Sequence, residues 1–391
     1  MNMALALSGG GFRATVFHLG VLARLAEENR LEDVGFLSTV SGGTLCAGLV
    51  FGVNGYRWPT SKEYIEQVVP EARRLLTTHD LQRAMIFRLL GTFWTILETR
   101  ADDLSALIRK HWGIDKSLRD LPRHPRWMIN ATCHETGKNW RFERFRMGDY
   151  LFGYSDDPDL SLTDAMVASC GFPGLVGPLV LDTARWSWYR YVDEEASDAG
   201  TPGDGASGRR KKQPSQPAFP KVHLWDGGVY DNHGLEALHD FNTGWREGVD
   251  FLIVSDAAGR PSAEKYRGGA RVLMRIAADI LMNQVRSLRT RAIIERMRNH
   301  DDQGGFFQTG NTCAYVLREA GKTEDIPRLC PDCLSEEDAT RVAEMPTVIR
   351  KLTDEEFERL FRHGFEVADY TLYAYHADKF RYIGYVNSRW S

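Results

Sequence analysis

The 391-residue chain is short of several things, and each shortage excludes a class. It holds only six cysteines, Cys46, Cys133, Cys170, Cys313, Cys330 and Cys333. They are too few and too scattered for a disulfide framework, so a reducing compartment is expected, with the cytoplasm as the default. No window approaches the roughly 18 consecutive apolar residues of a membrane span. The amino terminus lacks the basic n-region of a secretory leader, and its short apolar run leads straight into glycines, so no leader is expected. A net charge of −4 gives no footing for nucleic-acid binding. No internal repeat is visible. Apolar residues are plentiful, at 43% of the chain, which is enough for a large core.

What the chain does have is concentrated between Ala4 and Thr44. Ala4-Leu5-Ala6-Leu7 is a short apolar run that stops at Ser8-Gly9-Gly10-Gly11. A helical pattern follows, with Phe12, Val16, Leu19, Leu22, Leu25 and Ala26 on one face. A second apolar run, Val34 to Leu37, ends in Ser38-Thr39-Val40-Ser41-Gly42-Gly43, and a helix of small residues begins at Thr44. Turns at the carboxyl ends of neighbouring parallel strands are where open α/β sheets put their chemistry.

The rest of the chain mixes strands and helices. A helical stretch covers Ser61 to Lys110 and includes the apolar helix Met85 to Leu97, too short to cross a bilayer. A hairpin is predicted over Arg126 to Phe145, a short helix over Leu162 to Ala168, and an alternating strand over Arg185 to Asp193. From Glu194 to Pro217 large apolar residues nearly vanish, and the basic run Arg209-Arg210-Lys211-Lys212 appears; this reads as a disordered loop. Lys221 to Trp225 is a strand ending at Asp226-Gly227-Gly228, Leu235 to Phe241 a helix, and Asp250 to Val254 a buried strand. Helices are predicted over about Ala270 to Arg298 and Glu336 to His376. The expectation is one α/β domain over 1–391, with its core in about 1–260 and a helical part in about 261–391.

Ser41 stands where a nucleophile elbow would put a serine: a sharp strand-to-helix turn that projects the hydroxyl and needs small neighbours. The pattern Gly-x-Ser-x-Gly reads here Thr39-Val40-Ser41-Gly42-Gly43, with the second glycine present. A plain helix N-cap is the blander reading. Gly9-Gly10-Gly11 offers consecutive N–H groups with nothing to obstruct approach, as an oxyanion site requires. Arg13 beside it would either meet a substrate phosphate or anchor the loop. A dinucleotide fingerprint competes, since Gly9-x-Gly11-x-x-Ala14 follows a strand. That fingerprint wants an acid at the end of the second strand; Ser38, Thr39 and Ser41 stand there instead, and Glu32 and Asp33 lie at the wrong end. A nucleophilic serine needs a base. Asp226 acting directly and a triad through His233 both remain open on the chemistry alone. Cys330-Pro331-Asp332-Cys333 lacks the second pair a structural zinc needs and reads as an ordinary turn.

In order along the chain, Ser8-Gly9-Gly10-Gly11-Phe12-Arg13, Val40-Ser41-Gly42-Gly43, Asn130-Ala131-Thr132 with Glu135-Thr136-Gly137, Ala168-Ser169-Cys170-Gly171-Phe172-Pro173-Gly174 and Asp226-Gly227-Gly228 resemble the patatin-like phospholipases. The resemblance covers roughly residues 4 to 260. It implies a three-layer α/β/α fold with a mostly parallel central sheet. It also implies a serine lipid acyl hydrolase with a dyad of Ser41 and Asp226, and an oxyanion hole from Gly9, Gly10, Gly11 and Gly42. His233 and His18 then become structural. No metal or organic cofactor is implied, and the partners would be a phospholipid or other lipid ester and a membrane surface touched peripherally. Acyl transfer to an alcohol and lipid binding without turnover are the competing readings. Thr39 and Ala14 depart from the family pattern, each standing where a glycine is usual.

Overall fold

The computed structural model describes residues 1–89, 100–173, 176–193, 210–240, 242–259, 275–300 and 303–390, with 266, 269 and 272 besides. Its first strand, β1 (Met3–Leu7), is buried at every position, which is why it reads as an unbroken apolar run rather than an alternation. Helix α1 (Gly11–Ala26) leads to β2 (Val34–Thr39), and α2 (Gly42–Val53) follows. Next come β3 (Arg126–Cys133), β4 (Asn139–Phe142), β5 (Arg146–Asp149), β6 (Gly153–Asp156), β7 (Leu179–Asp182), β8 (Trp188–Asp193), β9 (Arg210–Ser215) and β10 (Lys221–Asp226). A small hairpin, β11 (His239–Asp240) with β12 (Gly244–Trp245), precedes β13 (Phe251–Asp256) and β14 (Gln303–Gln308).

Five strands lie in the order β14-β13-β1-β2-β3 and are parallel throughout. An antiparallel extension, β4-β5-β6-β8-β9, continues the sheet beyond β3. Side chains alternate across β1. Met3, Leu5 and Leu7 join a core made with α1 and α2, while Ala4 and Ala6 face Leu235, Leu238, Trp245 and Ile293 on the other side. The sheet is thus covered on both faces, giving three layers. All sixteen residues of α1 are buried, because the C-terminal helix Asp354–His376 packs across it with the expected face of Phe357, Leu360, Phe361 and Phe365.

The junction that matters is on one edge of β3. The first half of that edge pairs with β2, Thr39 opposite Ile129. The second half pairs antiparallel with β10, Asp226 opposite Ala131. With β4 on the other edge, β2 and β10 run towards each other and meet at their carboxyl ends. The turn after Thr39 therefore faces Asp226.

Several elements differ from expectation. Residues 210–215 are strand β9 rather than loop; Arg210 and Lys212 pair with Asp193 and Asp156. Charged residues and Pro214 are tolerated because the strand lies at the sheet edge. Residues 194–209 and most of the apolar segment after Leu89 lie outside the described residues. Leu235–Ala237 is only a single helical turn and runs into the β11–β12 hairpin. The C-terminal helical stretch is two helices, Glu336–Glu344 and Asp354–His376, interrupted where Pro346 disfavours helix at Met345. No helix among the described residues is long and apolar enough to cross a membrane.

Candidate active site

Ser41 has φ 48° and ψ −114°, a backbone state that costs a non-glycine residue about 1–3 kcal/mol and persists only where the surroundings impose it. The imposing contacts are visible. Val40 N donates to Leu7 O at 3.0 Å, Gly43 N to Ser8 O at 3.0 Å, and Ser41 N to Ser169 Oγ at 3.0 Å. Thr39, the departure from the elbow pattern, is part of this support. Its Oγ1 accepts from Trp127 Nε1 at 2.9 Å and lies 2.9 Å from Thr44 Oγ1, which is itself 2.9 Å from Ser169 Oγ. A hydroxyl chain thus runs from Trp127 to the Ser41 amide, and a glycine at position 39 would break it.

Gly10 (φ 144°) and Gly11 (φ 59°) turn the chain back over the elbow. The approach is close: a Cβ on Gly42 would stand 2.3 Å from Gly11 O. Gly9 N donates to Asn232 O at 3.2 Å, and Phe12 N to Val348 O at 2.9 Å. Between them, the N–H groups of Gly10 and Gly11, and that of Gly42 across the turn, make no hydrogen bond among the described residues. Gly9 contributes room instead, since its Cβ would stand 2.5 Å from Asn232 Oδ1 and 3.1 Å from Ser41 Cβ. His18 lies fully buried beneath. Burial pushes its pKa down to about 4, so it is neutral, with Nε2 donating to Ser8 O at 2.9 Å and Nδ1 accepting from the Ser255 hydroxyl at 2.8 Å.

Asp226 closes the site from the other strand. Asp226 and Ser41 line the same cavity, the Ser41 side chain close enough to favour the ionised carboxylate, and Asp226 Oδ1 accepts from Gly228 N at 2.7 Å. Thr132 Oγ1 fixes the backbone by donating to Asp226 O at 2.8 Å. Burial raises the Asp226 pKa to about 6, against the opposing pull of the Gly228 amide and the Ser41 hydroxyl. His233 is elsewhere: its Nε2 is 3.3 Å from Asp256 Oδ2, out of hydrogen-bonding alignment, and it does not reach Ser41. Arg13 donates to Ala257 O at 3.2 Å, to Met345 O, and to Thr347 Oγ1 at 3.4 Å. It clamps two loops together at the edge of the site.

These groups open into a cavity of about 800 Å³. Leu45, Leu81, Leu104, Phe172, Val176 and Ile349 form an apolar wall; Arg275, Asp279 and Asn283 form a polar one. The helix that supplies the polar wall turns Ile276, Ile280, Leu281, Val285 and Leu288 outward to solvent. Among the described residues, no cluster of histidine, cysteine and carboxylate side chains would hold a metal ion. Sequence reasoning did not find Asn232, whose position carries no spacing signal, or the segment 344–349, which it read as mid-helix. Ser169 and Cys170 lay inside a recognised motif without an assigned role.

A family model described as patatin-like phospholipase matches residues 5–239. Curated relatives include patatin-like phospholipase domain-containing proteins of Chaetomium globosum and Pyricularia oryzae, each 28% identical over 180 residues. That stretch is 46% of this chain but only 19% and 20% of the two relatives, so the match spans about a fifth of their length. Among solved structures, human GIVD cytosolic phospholipase A2 superposes with a TM-score of 0.49 at 14% identity, over 94% of this chain and 58% of that one. VipD from Legionella pneumophila gives 0.37 at 14% identity, over 96% and 67%.

Proposed function

The chain belongs to the patatin-like phospholipase family, and from that premise we propose that it is a serine lipid acyl hydrolase of phospholipase A or lysophospholipase type. The observation that carries the reading is one juxtaposition. A serine held at φ 48° and a buried carboxylate line one cavity, beside three backbone N–H groups that have no partner among the described residues.

In this reading Asp226 takes the Ser41 proton as the serine oxygen adds to the ester carbonyl. The N–H groups of Gly10, Gly11 and Gly42 receive the oxyanion, in a role where one donor is commonly worth about 3 kcal/mol. Asp226 then returns the proton to the departing alcohol, leaving an acyl-serine. Water enters, gives its proton to Asp226 and adds to the acyl carbon. Collapse of the second tetrahedral intermediate frees the fatty acid and restores the Ser41 hydroxyl. A pKa near 6 suits both halves, since the group must accept and then return a proton near neutrality. The apolar wall suits an acyl chain and the polar wall a head group. The outward apolar stripe on the helix of the polar wall suits approach to a lipid surface.

Labelling with a fluorophosphonate probe tests the nucleophile. Wild type should label at Ser41 and Ser41→Ala should not; an unlabelled wild type, or equal label on both, sinks the reading. Mass analysis of products from mixed phospholipids, with and without an alcohol acceptor, separates hydrolysis from acyl transfer and from lipid binding without turnover.

A further inference from the structure

We propose that Cys313, Cys330 and Cys333 form a reversible thiol–disulfide site that fastens the segment walling the cavity. The two-cysteine turn at 330–333 has a third thiol brought onto it by the fold. Cys313, first residue of the helix Cys313–Glu319, puts its Sγ 2.7 Å from Cys330 Sγ. That is closer than two non-bonded sulfur atoms rest and approaches the S–S bond length of about 2.05 Å. Cys333 shares the turn, its Sγ 3.5 Å from Tyr382 Oη and 3.4 Å from Leu329 O. Cys330 and Cys333 are partly exposed, within reach of a small oxidant, whereas Cys313 is buried. The neighbouring Cys313 thiol pulls the Cys333 thiol down, favouring the form that attacks a disulfide.

The chemistry balances with a peroxide as oxidant. One peroxide converts the Cys330 thiol to a sulfenic acid and leaves as water; the Cys313 thiol then displaces a second water and the S–S bond forms. Attack by the Cys333 thiolate on Cys313 Sγ moves the bond and releases Cys330, giving a route for exchange and reduction. The placement gives the bond a consequence. Leu334 N, just past Cys333, is held by Glu366 at 2.8 Å. The helix Glu336–Glu344 follows and ends in the segment that lines the cavity and accepts Arg13's hydrogen bonds. Cys313 is rooted just beyond β14 in the sheet. A bond between them ties the base of the cavity wall to the sheet edge.

The test is independent of any hydrolase activity. Full-length protein is treated with hydrogen peroxide, its thiols are blocked, and it is digested with trypsin without reductant. The expected result is a cross-link between the peptides Asn299–Arg318 and Leu329–Arg341, lost on reduction, with free thiols falling from six to four. Cys313→Ser should abolish the link, and Cys330→Ser should move it to Cys333. Six thiols persisting through oxidation would overturn the proposal. So would a bond confined to Cys330 and Cys333, or thiols that become reactive only when a chelator strips a bound zinc ion.

Discussion

Replacing Asp226 with asparagine should remove activity and raise stability, and the stability gain should depend on pH in a defined direction. The substitution keeps the side-chain shape and the Oδ1 that accepts from Gly228 N at 2.7 Å. Burial lifts the wild-type carboxyl from 3.8 to about 6 in the folded protein. A carboxyl raised on folding favours the folded state when protonated and penalises it when ionised, so the penalty develops as pH rises from about 4 to about 6. Above that window the shift is worth about 3 kcal/mol, which Asp226→Asn removes. Chemical denaturation should therefore find the variant more stable than wild type at pH 7.5, by up to that amount. The two should converge below pH 4. Over the same range wild-type turnover should climb with pH through an inflection near 6, at about a tenth of its plateau at pH 5. The variant should lose about 10²–10⁴ of the rate. A variant less stable than wild type at pH 7.5, or a stability difference that ignores pH, would refute the assignment of Asp226 as a desolvated base.

Three further outcomes follow from the same geometry. Ser41→Gly and Ser41→Ala should both be inactive, but the glycine variant should be the more stable by about 1 kcal/mol in thermal denaturation, because only it relaxes at φ 48°. Thr39→Val strands the buried Trp127 Nε1 and should cost about 1–3 kcal/mol, whereas Thr39→Ser should stay near wild type; denaturant melts separate them. Leu281→Glu combined with Leu288→Glu, at positions 57% and 54% exposed, should lower sedimentation with phospholipid vesicles by about tenfold or more. The same double variant should hydrolyse a water-soluble short-chain ester at the wild-type rate.

The parts of the site legible in the sequence were those whose chemistry is local. A strand that stops at glycines, a serine between small residues and an aspartate before two glycines each announce a turn at a strand end, whatever surrounds them. Their meeting is implied only by the family resemblance and not by local chemistry, because it rests on register: β2 and β10 share one edge of β3, and nothing near Thr39 or Asp226 encodes that. The segment 344–349 carries a usable signal in Pro346, which disfavours helix at Met345 even though helices flank it on both sides. Strand β9 carried a misleading one. Arg210, Lys211, Lys212 and Pro214 argue for a loop by composition, and only an edge position, with β8 on one side, reconciles them with pairing. Cys313 is seventeen residues from Cys330 with no motif spacing between them, so its place beside the 330–333 turn had to come from the packing of helix Cys313–Glu319.

The two buried aspartates that end strands β13 and β10 explain why a base without an imidazole is chemically sufficient in this reading. Asp256 ends β13 and Asp226 ends β10, and both have lost water. Burial works against the Asp256 carboxylate too, but Arg286 holds it from Nε at 2.9 Å and Nη2 at 2.7 Å, and with His233 keeps it well below the ordinary range. Such a group is a counter-ion; it will not take a proton from a serine near neutrality. Among the described residues no cation stands beside Asp226; its carboxylate accepts one amide, from Gly228, and its proton affinity rises to about 6. That is close to the ordinary histidine value of about 6.5, the property for which serine hydrolases otherwise recruit imidazole. Placing a cation beside Asp226 would turn it into a second Asp256 and stop proton transfer. The absence of a cation beside Asp226 among the described residues is thus as much a part of the proposed mechanism as the serine it faces.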